Sequence, residues 1–315
     1  MTGLPLGPGA EFDRIRAIAR RLGPAARGLG DDAAVIPIGG TNLVVSIDAS
    51  VEGVHFRRDW MTFEQIGYRA AAAALSDLAA EGASVIGVLV SIGAPAAPPR
   101  GPDPVTDIMA GVAQALLDVG GAVLGGDLVQ SDRYIVDVCV LGRTDHPVTR
   151  AGARPGDGIW VTGKLGAPRA ALEALERGGA PDERFHARFT NPDPRIHAGA
   201  WLAAHGAHAM IDVSDGLVAD LAHLAAASGV AITIALETVP LWPGIDDAAA
   251  AVASGEEYEL AVALASDFGP AEAKEFQATH LGLLTRIGEV TAGSGVRVFL
   301  NGRPVDVPAG FDHFR

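Results

Sequence analysis

The stretch MIDVSDGLVADL, Met210 to Leu221, sets Asp212, Ser214, Asp215 and Asp220 among apolar residues suited to burial. Helix capping by Ser214 or Asp215, ahead of an apolar stripe at Leu217, Leu221 and Leu224, accounts for one carboxylate but not for two at i and i+3. Four further acidic sites share this character. GLGDDAAVI carries Asp31 and Asp32, VVSIDASVEGVHF carries Asp48, AAAALSDLAAEGA carries Asp77, and VLGGDLVQ carries Asp127 after two glycines. Each has a plain alternative: Asp32 and Asp127 as ordinary turn residues, Asp48 as the end of a strand. Asp77 has little polar company in its alanine helix, where an unpaired carboxylate is costly or shifts its pKa. Carboxylates at loop ends, without the His or Cys ligands that zinc prefers, together match the oxygen-ligand chemistry of magnesium. Magnesium commonly brings phosphate with it.

Positioning such groups requires alternating strands and helices. The pattern predicts a helix over Glu11 to Leu22 and strands over Ala34 to Ile38 and Leu43 to Asp48. A helix follows from Thr62 to about Ala80, with Gln65 completing a capping box. Further expected elements are a strand at Val85 to Ile92, a helix at Val105 to Val119 after the proline-rich APAAPPRGPDP, and strands at Ala122 to Gly125 and Tyr134 to Gly142. The breaker-rich segment Arg143 to Gly158 divides the chain into domains 1–148 and 149–315. Beyond it the pattern predicts a strand at Ile159 to Thr162, helices at Ala167 to Glu176 and Arg195 to His205, and the strand and helix of the opening motif. Strands near Val230 to Ala235, Tyr258 to Leu264 and Val296 to Leu300 follow. This order is that of an α/β or α+β protein.

A chain of 315 residues can bury two cores. With 24 basic and 38 acidic residues its formal charge is -14, which disfavours nucleic acid and anionic membranes as partners. A polyanionic substrate would need bound cations. Cys139, the one cysteine, is expected as a buried strand residue in YIVDVCVLG. No segment is apolar for long enough to span a bilayer, and the N-terminus has no signal-peptide core, so a cytoplasmic protein is expected. GIWVTGKL, Gly158 to Leu165, nearly fits a phosphate loop, but Leu165 replaces the metal-binding hydroxyl and Ile159 to Thr162 reads as a strand.

The motifs GDDAA, EGVHF, LSDLAAEGA, GGD, RAGARPGD, IDVSDGL, SGEEYEL and GFDHF occur in the order found in the thiamine-monophosphate kinase family, and the chain resembles that family from about Gly28 to Phe314. The wider superfamily includes aminoimidazole ribonucleotide synthetase and selenophosphate synthetase. The resemblance implies a two-domain aminoimidazole ribonucleotide synthetase-like fold, paired into a homodimer through a shared barrel-like sheet of the N-terminal halves. It implies ATP-dependent phosphorylation of thiamine monophosphate to thiamine diphosphate, assisted by several magnesium ions. By the same resemblance Asp32, Ser46, Asp48, Asp77, Asp127, Asp212 and Asp215 hold metal. Gly126, Asp127, Arg150 and Ser214 contact ATP, and His55, Glu256 and Phe311 contact thiamine monophosphate. Asp220 matches no such role and reads as a solvated or capping helix residue. Without the resemblance, His55 reads as a satisfied loop histidine and Phe311 as an anchor on the core. No general base is expected, because the attacking phosphate oxygen is already ionised.

The sequence departs from the family pattern at Ile47, where a threonine usually stands, at Ala74 for an asparagine, at Leu128 for the threonine after GGD, and at Glu257 for an aspartate. Glu257, next to the expected substrate contact, puts substrate identity in more doubt than use of ATP. Two rivals follow: a related ATP-dependent enzyme with another substrate, and a non-catalytic relative that only binds nucleotide or thiamine phosphate. Selenophosphate synthetase is disfavoured, since no cysteine precedes Cys139.

Overall fold

The computed structural model describes residues 5–26, 28–96 and 103–314. The chain opens with α1 (Ala10–Leu22), then builds β1 (Ala34–Ile38), β2 (Thr41–Val51), α2 (Phe63–Ala80), β3 (Ser84–Ala94), α3 (Pro104–Leu117), β4 (Ala122–Gln130) and β5 (Ile135–Thr144). These strands form one sheet in the order β1-β2-β5-β3-β4, antiparallel except for the parallel β3 and β4 pair. The proline-rich loop before α3 lies largely outside the described residues.

The second half runs β6 (Gly158–Thr162), α4 (Ala167–Glu176), α5 (Glu183–Thr190), α6 (Ile196–Ala204), β7 (Ala209–Asp212), α7 (Leu217–Ser228) and β8 (Ala231–Ala235). It ends with α8 (Ala248–Ala251), β9 (Leu260–Leu264), α9 (Pro270–Ala278), β10 (Leu284–Thr291), β11 (Gly295–Leu300) and β12 (Arg303–Val305). Its seven strands form a mixed sheet, β12-β11-β8-β10-β6-β9-β7. Neither sheet closes into a barrel: each ends in two edge strands.

Helix α2 joins the two halves. Thr62 and Gln65 form the expected capping box, and the alanines from Ala70 to Ala74 are buried together with Leu75, Leu78 and Ala79. Alanine suits this position because it lets neighbouring backbones come close while avoiding any side-chain entropy cost. At Gly199 of α6, a Cβ would lie 2.0 Å from the carbonyl oxygen of Ala79, so the α2 and α6 contact excludes any side chain there. One continuous core runs from Val44 and Val138 under the first sheet, through α2, to Trp160, Leu202 and Leu260 in the second half.

Several elements differ from expectation for identifiable reasons. Strand β2 runs on to Val51, because it pairs with β5 from Asn42 to Val51, so Asp48 is inside the strand and not at its end. Strand β4 extends through Gln130, and Asp127 is therefore a strand residue, not a turn residue. Gly126 makes this possible, since a Cβ there would sit 1.8 Å from the carbonyl oxygen of Val90 on β3. The strand expected from Tyr258 starts at Leu260, because Glu256 and Tyr258 take left-handed backbone conformations with φ of 61° and 49°. Helix α5 and strand β10 were not expected: Asp182 caps the first with a 2.9 Å bond from the Arg184 amide, and a register shift at Arg286 and Gly288 interrupts the second. Cys139 is in β5 as expected but only partly buried, on the face of the sheet away from α2. That face also carries Ile47, 67% exposed. Leu128 on the edge strand β4 is 60% exposed. No described helix is long and apolar enough to cross a membrane.

Candidate active site

Three chain segments far apart in sequence bring carboxylates together. Asp32 precedes β1, Asp77 lies near the end of α2, and Asp212 closes β7; one oxygen from each lies within 4.8 Å of the others. Ser46 faces them from β2, donating to Asp77 Oδ2 at 2.5 Å and to the Asp32 carbonyl at 3.2 Å. Ser76 donates to Asp212 Oδ2 at 2.8 Å. Arg150, in the segment between the sheets, donates from Nη2 to Asp32 Oδ1 at 2.6 Å, and its amide donates to Asp31 Oδ1 at 2.9 Å. Asp32 Oδ2 is buried with no partner.

One guanidinium and two hydroxyls do not neutralise this group. Burial, and then the charges of Asp212, Asp32 and Asp48, hold Asp77 well above the usual carboxylate range. Asp212 is pushed up to about 8, by burial first and then by Asp32, with the Ser76 hydrogen bond and Arg150 opposing. Burial, aided by Asp137, also raises Asp48. Arg150 is pulled down by burial, yet Asp32 and Asp31 outweigh this and fix its charge. A multivalent cation would relieve the repulsion among these oxygens, and the donor set of carboxylates and hydroxyl suits magnesium.

The opening motif forms a loop beside this cluster. Asp220 is 3% exposed and its Oδ2 accepts from the amides of Ser214, Asp215 and Gly216 at 3.1, 3.2 and 3.1 Å. It is therefore an internal anchor for the turn before α7 and not a solvated residue. Asp215 is raised to about 6 by burial and then by Glu11, with His313 and Arg150 opposing. Gly126 and Asp127 lie on the exposed strand β4, with Asp127 in register with Ser91, outside the three-carboxylate group.

His55, Glu256, Phe311 and Ser214 line one cavity of about 650 Å³, together with Trp60, Arg169 and Phe189 among others. His55 Nδ1 accepts from the Val51 amide at 3.0 Å, and burial, then His313 and Arg69, push its pKa down to about 4. It is a neutral ring near pH 7. Phe311 is 54% exposed, which rules out an anchor packed on the core. Its amide donates to the Asp215 carbonyl at 2.9 Å, tying the cavity wall to the acidic loop.

Sequence reasoning missed several participants. His313 places its ring 5.0 Å from that of His55 and 4.7 Å from Phe311; its position inside GFDHF was the available signal. Glu81 is fully buried, and burial, then Asp31 and Asp32, raise it to about 10, with the Ala33 backbone and Arg150 opposing. Glu257, expected to disturb the substrate contact, is instead fully buried away from the cavity lining, where Oε1 accepts from the Gly166 amide at 2.6 Å. Ile47 alternates to the opposite face of β2 from Ser46 and Asp48, so its side chain does not reach the cluster. In GIWVTGKL the first five residues form β6, in keeping with the strand expected there.

Residues 30–144 match the model of the AIR synthase related protein N-terminal domain, and residues 154–301 match that of the C-terminal domain. A thiamine-monophosphate kinase of Mycobacterium tuberculosis is 38% identical over 73% of this chain and 69% of its own length. One from Methanopyrus kandleri is 33% identical over 89% of this chain and 88% of its own. The chain belongs to the thiamine-monophosphate kinase family. A solved structure of AaThiL complexed with AMPPCP and TMP superposes with a TM-score of 0.85 at 32% identity, covering 97% of each chain. The hydrogenase maturation protein HypE, at 17% identity and a TM-score of 0.71, shares the fold alone. Membership of the thiamine-monophosphate kinase family thus accompanies a mixed α/β AIR synthase-like architecture, as the sequence motifs imply.

Proposed function

We propose that this chain transfers the γ-phosphoryl group of ATP to thiamine monophosphate, yielding thiamine diphosphate and ADP. The observation that carries this reading is the convergence of Asp32, Asp77 and Asp212 beside a cavity lined by His55, Glu256 and Phe311. The likeness to AaThiL complexed with AMPPCP and TMP supports the choice of nucleotide and acceptor. Magnesium ions would be held by Asp32, Ser46, Asp48, Asp77, Asp127, Asp212 and Asp215, where they supply the positive charge that this acidic chain lacks near two polyanions.

An oxygen of the acceptor phosphate forms the new bond to the γ-phosphorus as the bond to ADP breaks, and the electron pair leaves on the β-phosphate. The acceptor oxygen is already ionised, so the chain's residues position and screen charge; none need take a proton. Gly126, Asp127, Arg150 and Ser214 contact ATP in this reading. Arg150 holds Asp32 in place, the loop braced by Asp220 presents Ser214 and Asp215, and neutral His55 and Glu256 receive the acceptor while Phe311 covers it. Units 1–148 and 149–315 act together, and the open apolar face of the first sheet pairs with a second copy as a homodimer.

The test is to mix the purified chain with ATP, magnesium and thiamine monophosphate, and to quantify thiamine diphosphate and ADP, with Asp77→Asn as control. Equal amounts of both products, absent in the control, are expected. ADP without thiamine diphosphate would overturn the choice of acceptor.

A further inference from the structure

One buried cation outside the cavity holds three of its walls. Arg69 lies on α2, 5% exposed, and is not among the cavity-lining residues. Its Nη1 donates to the His55 carbonyl at 2.6 Å, its Nη2 forms an ion pair with the Glu256 carboxylate, and its guanidinium carbon sits 4.5 Å from the centre of the Phe189 ring. His55 follows β2, Phe189 is on α5, and Glu256 precedes β9, so the three come from separate segments of both halves. All three line the cavity.

Glu256 has particular need of such a partner. Its left-handed backbone, φ 61°, is a conformation that a residue with a side chain keeps only when its surroundings impose it. The Glu256 amide donates to the Ser214 carbonyl at 2.7 Å and the Tyr258 amide to the Val213 carbonyl at 2.8 Å, which fixes the backbone. The direction of the carboxylate is then set by Arg69. A guanidinium can serve a carbonyl, a carboxylate and a ring face at once because it is planar and multiply donating, whereas an ammonium group is a point charge.

We infer that Arg69 is a positioning residue that sets the geometry of the acceptor cavity by fixing His55, Glu256 and Phe189 relative to one another. It acts through these residues and does not touch the acceptor. The identity of that acceptor rests on the thiamine monophosphate reading above.

The test compares Arg69→Lys, Arg69→Gln, Glu256→Gln and the Arg69→Gln/Glu256→Gln pair by steady-state kinetics. Arg69→Lys should raise KM for thiamine monophosphate about tenfold while kcat and KM for ATP stay within about threefold, and Arg69→Gln should do more. Because Arg69 acts partly through Glu256, the double variant should fall short of the product of the single effects by about tenfold. Multiplicative effects, or equal losses in kcat and both KM values, would overturn the inference in favour of a general structural role. Hydrogen exchange gives a readout independent of substrate. Amides of residues 53–57 and 254–257 should exchange faster in Arg69→Lys with α7 and β6 unchanged. If wild type makes no thiamine diphosphate, the acceptor reading fails and this exchange pattern still decides: unchanged protection in both segments would overturn the positioning role.

Discussion

The buried carboxylate of Glu259 and the cluster of Asp32, Asp77 and Asp212 are treated in opposite ways. Glu259, 1% exposed, accepts from Thr162 at 2.7 Å, from Arg188 at 2.9 Å and from Arg195 at 2.6 and 2.7 Å, so both its oxygens are satisfied by the chain. Asp32, Asp77 and Asp212 share one arginine and two serines, and an oxygen of Asp32 is left without any partner. A buried charge must be compensated, and what differs is the source. The knot around Glu259 is closed and structural. The cluster is open, and the chain does not supply its compensation.

This contrast can be broken experimentally, and the largest effect is expected in activity. Asp77→Asn removes one of three converging oxygens along with its share of the repulsion; thiamine diphosphate formation should fall by about three orders of magnitude or more while the metal-free variant melts no lower than wild type. A variant melting well below wild type would mean that Asp77 is structural. Glu259→Gln should behave in the reverse sense. It strips buried Arg188 of its counter-charge and leaves the partly buried Arg195 only Asp193, and should cost about 3–5 kcal/mol of stability, read from denaturant midpoints.

The third expectation concerns pH. Asp212 has a folded-state pKa of about 8, far above its value in an unfolded chain, and Asp77 shifts in the same direction. Between about pH 4 and pH 8 the metal-free native state therefore binds more protons than the unfolded state, so its stability falls as pH rises through this window. Magnesium held as proposed would replace those protons, and its stabilising increment should be larger at pH 8 than at pH 5. Thermal melts with and without magnesium at both values check this; an increment independent of pH would contradict it. The smallest effect is expected at Ile47, whose side chain points away from the cluster. Ile47→Thr should change kcat by no more than about twofold, within the range of surface substitutions.

Much of this architecture was readable locally. The capping box at Thr62 and Gln65, the strand in GIWVT and the turn before α7 are signalled by residues within a few positions of one another. Strand extents were less readable, because β2 and β4 are prolonged by pairing with distant strands and by the flat approach of Gly126 to β3. Asp77 stood out as a carboxylate among alanines, but its meeting with Asp32 and Asp212 depends on the packing of α2 across both sheets, which no spacing encodes. The same limit hid Arg69. Its neighbours in sequence are alanines and Tyr68, and its partners His55, Phe189 and Glu256 arrive from three other segments. Asp220 was legible as a capping residue, whereas its burial follows from how closely the loop folds over it.

We propose that the open cluster of Asp32, Asp77 and Asp212 is a cation site. The most direct measurement is the binding of manganese, standing in for magnesium, to the full chain with a non-hydrolysable ATP analogue, followed by electron paramagnetic resonance in wild type and Asp77→Asn. Saturable binding in wild type that weakens by about a hundredfold or more in the variant is predicted, in keeping with loss of a carboxylate ligand. Indistinguishable binding in the two proteins would contradict the account.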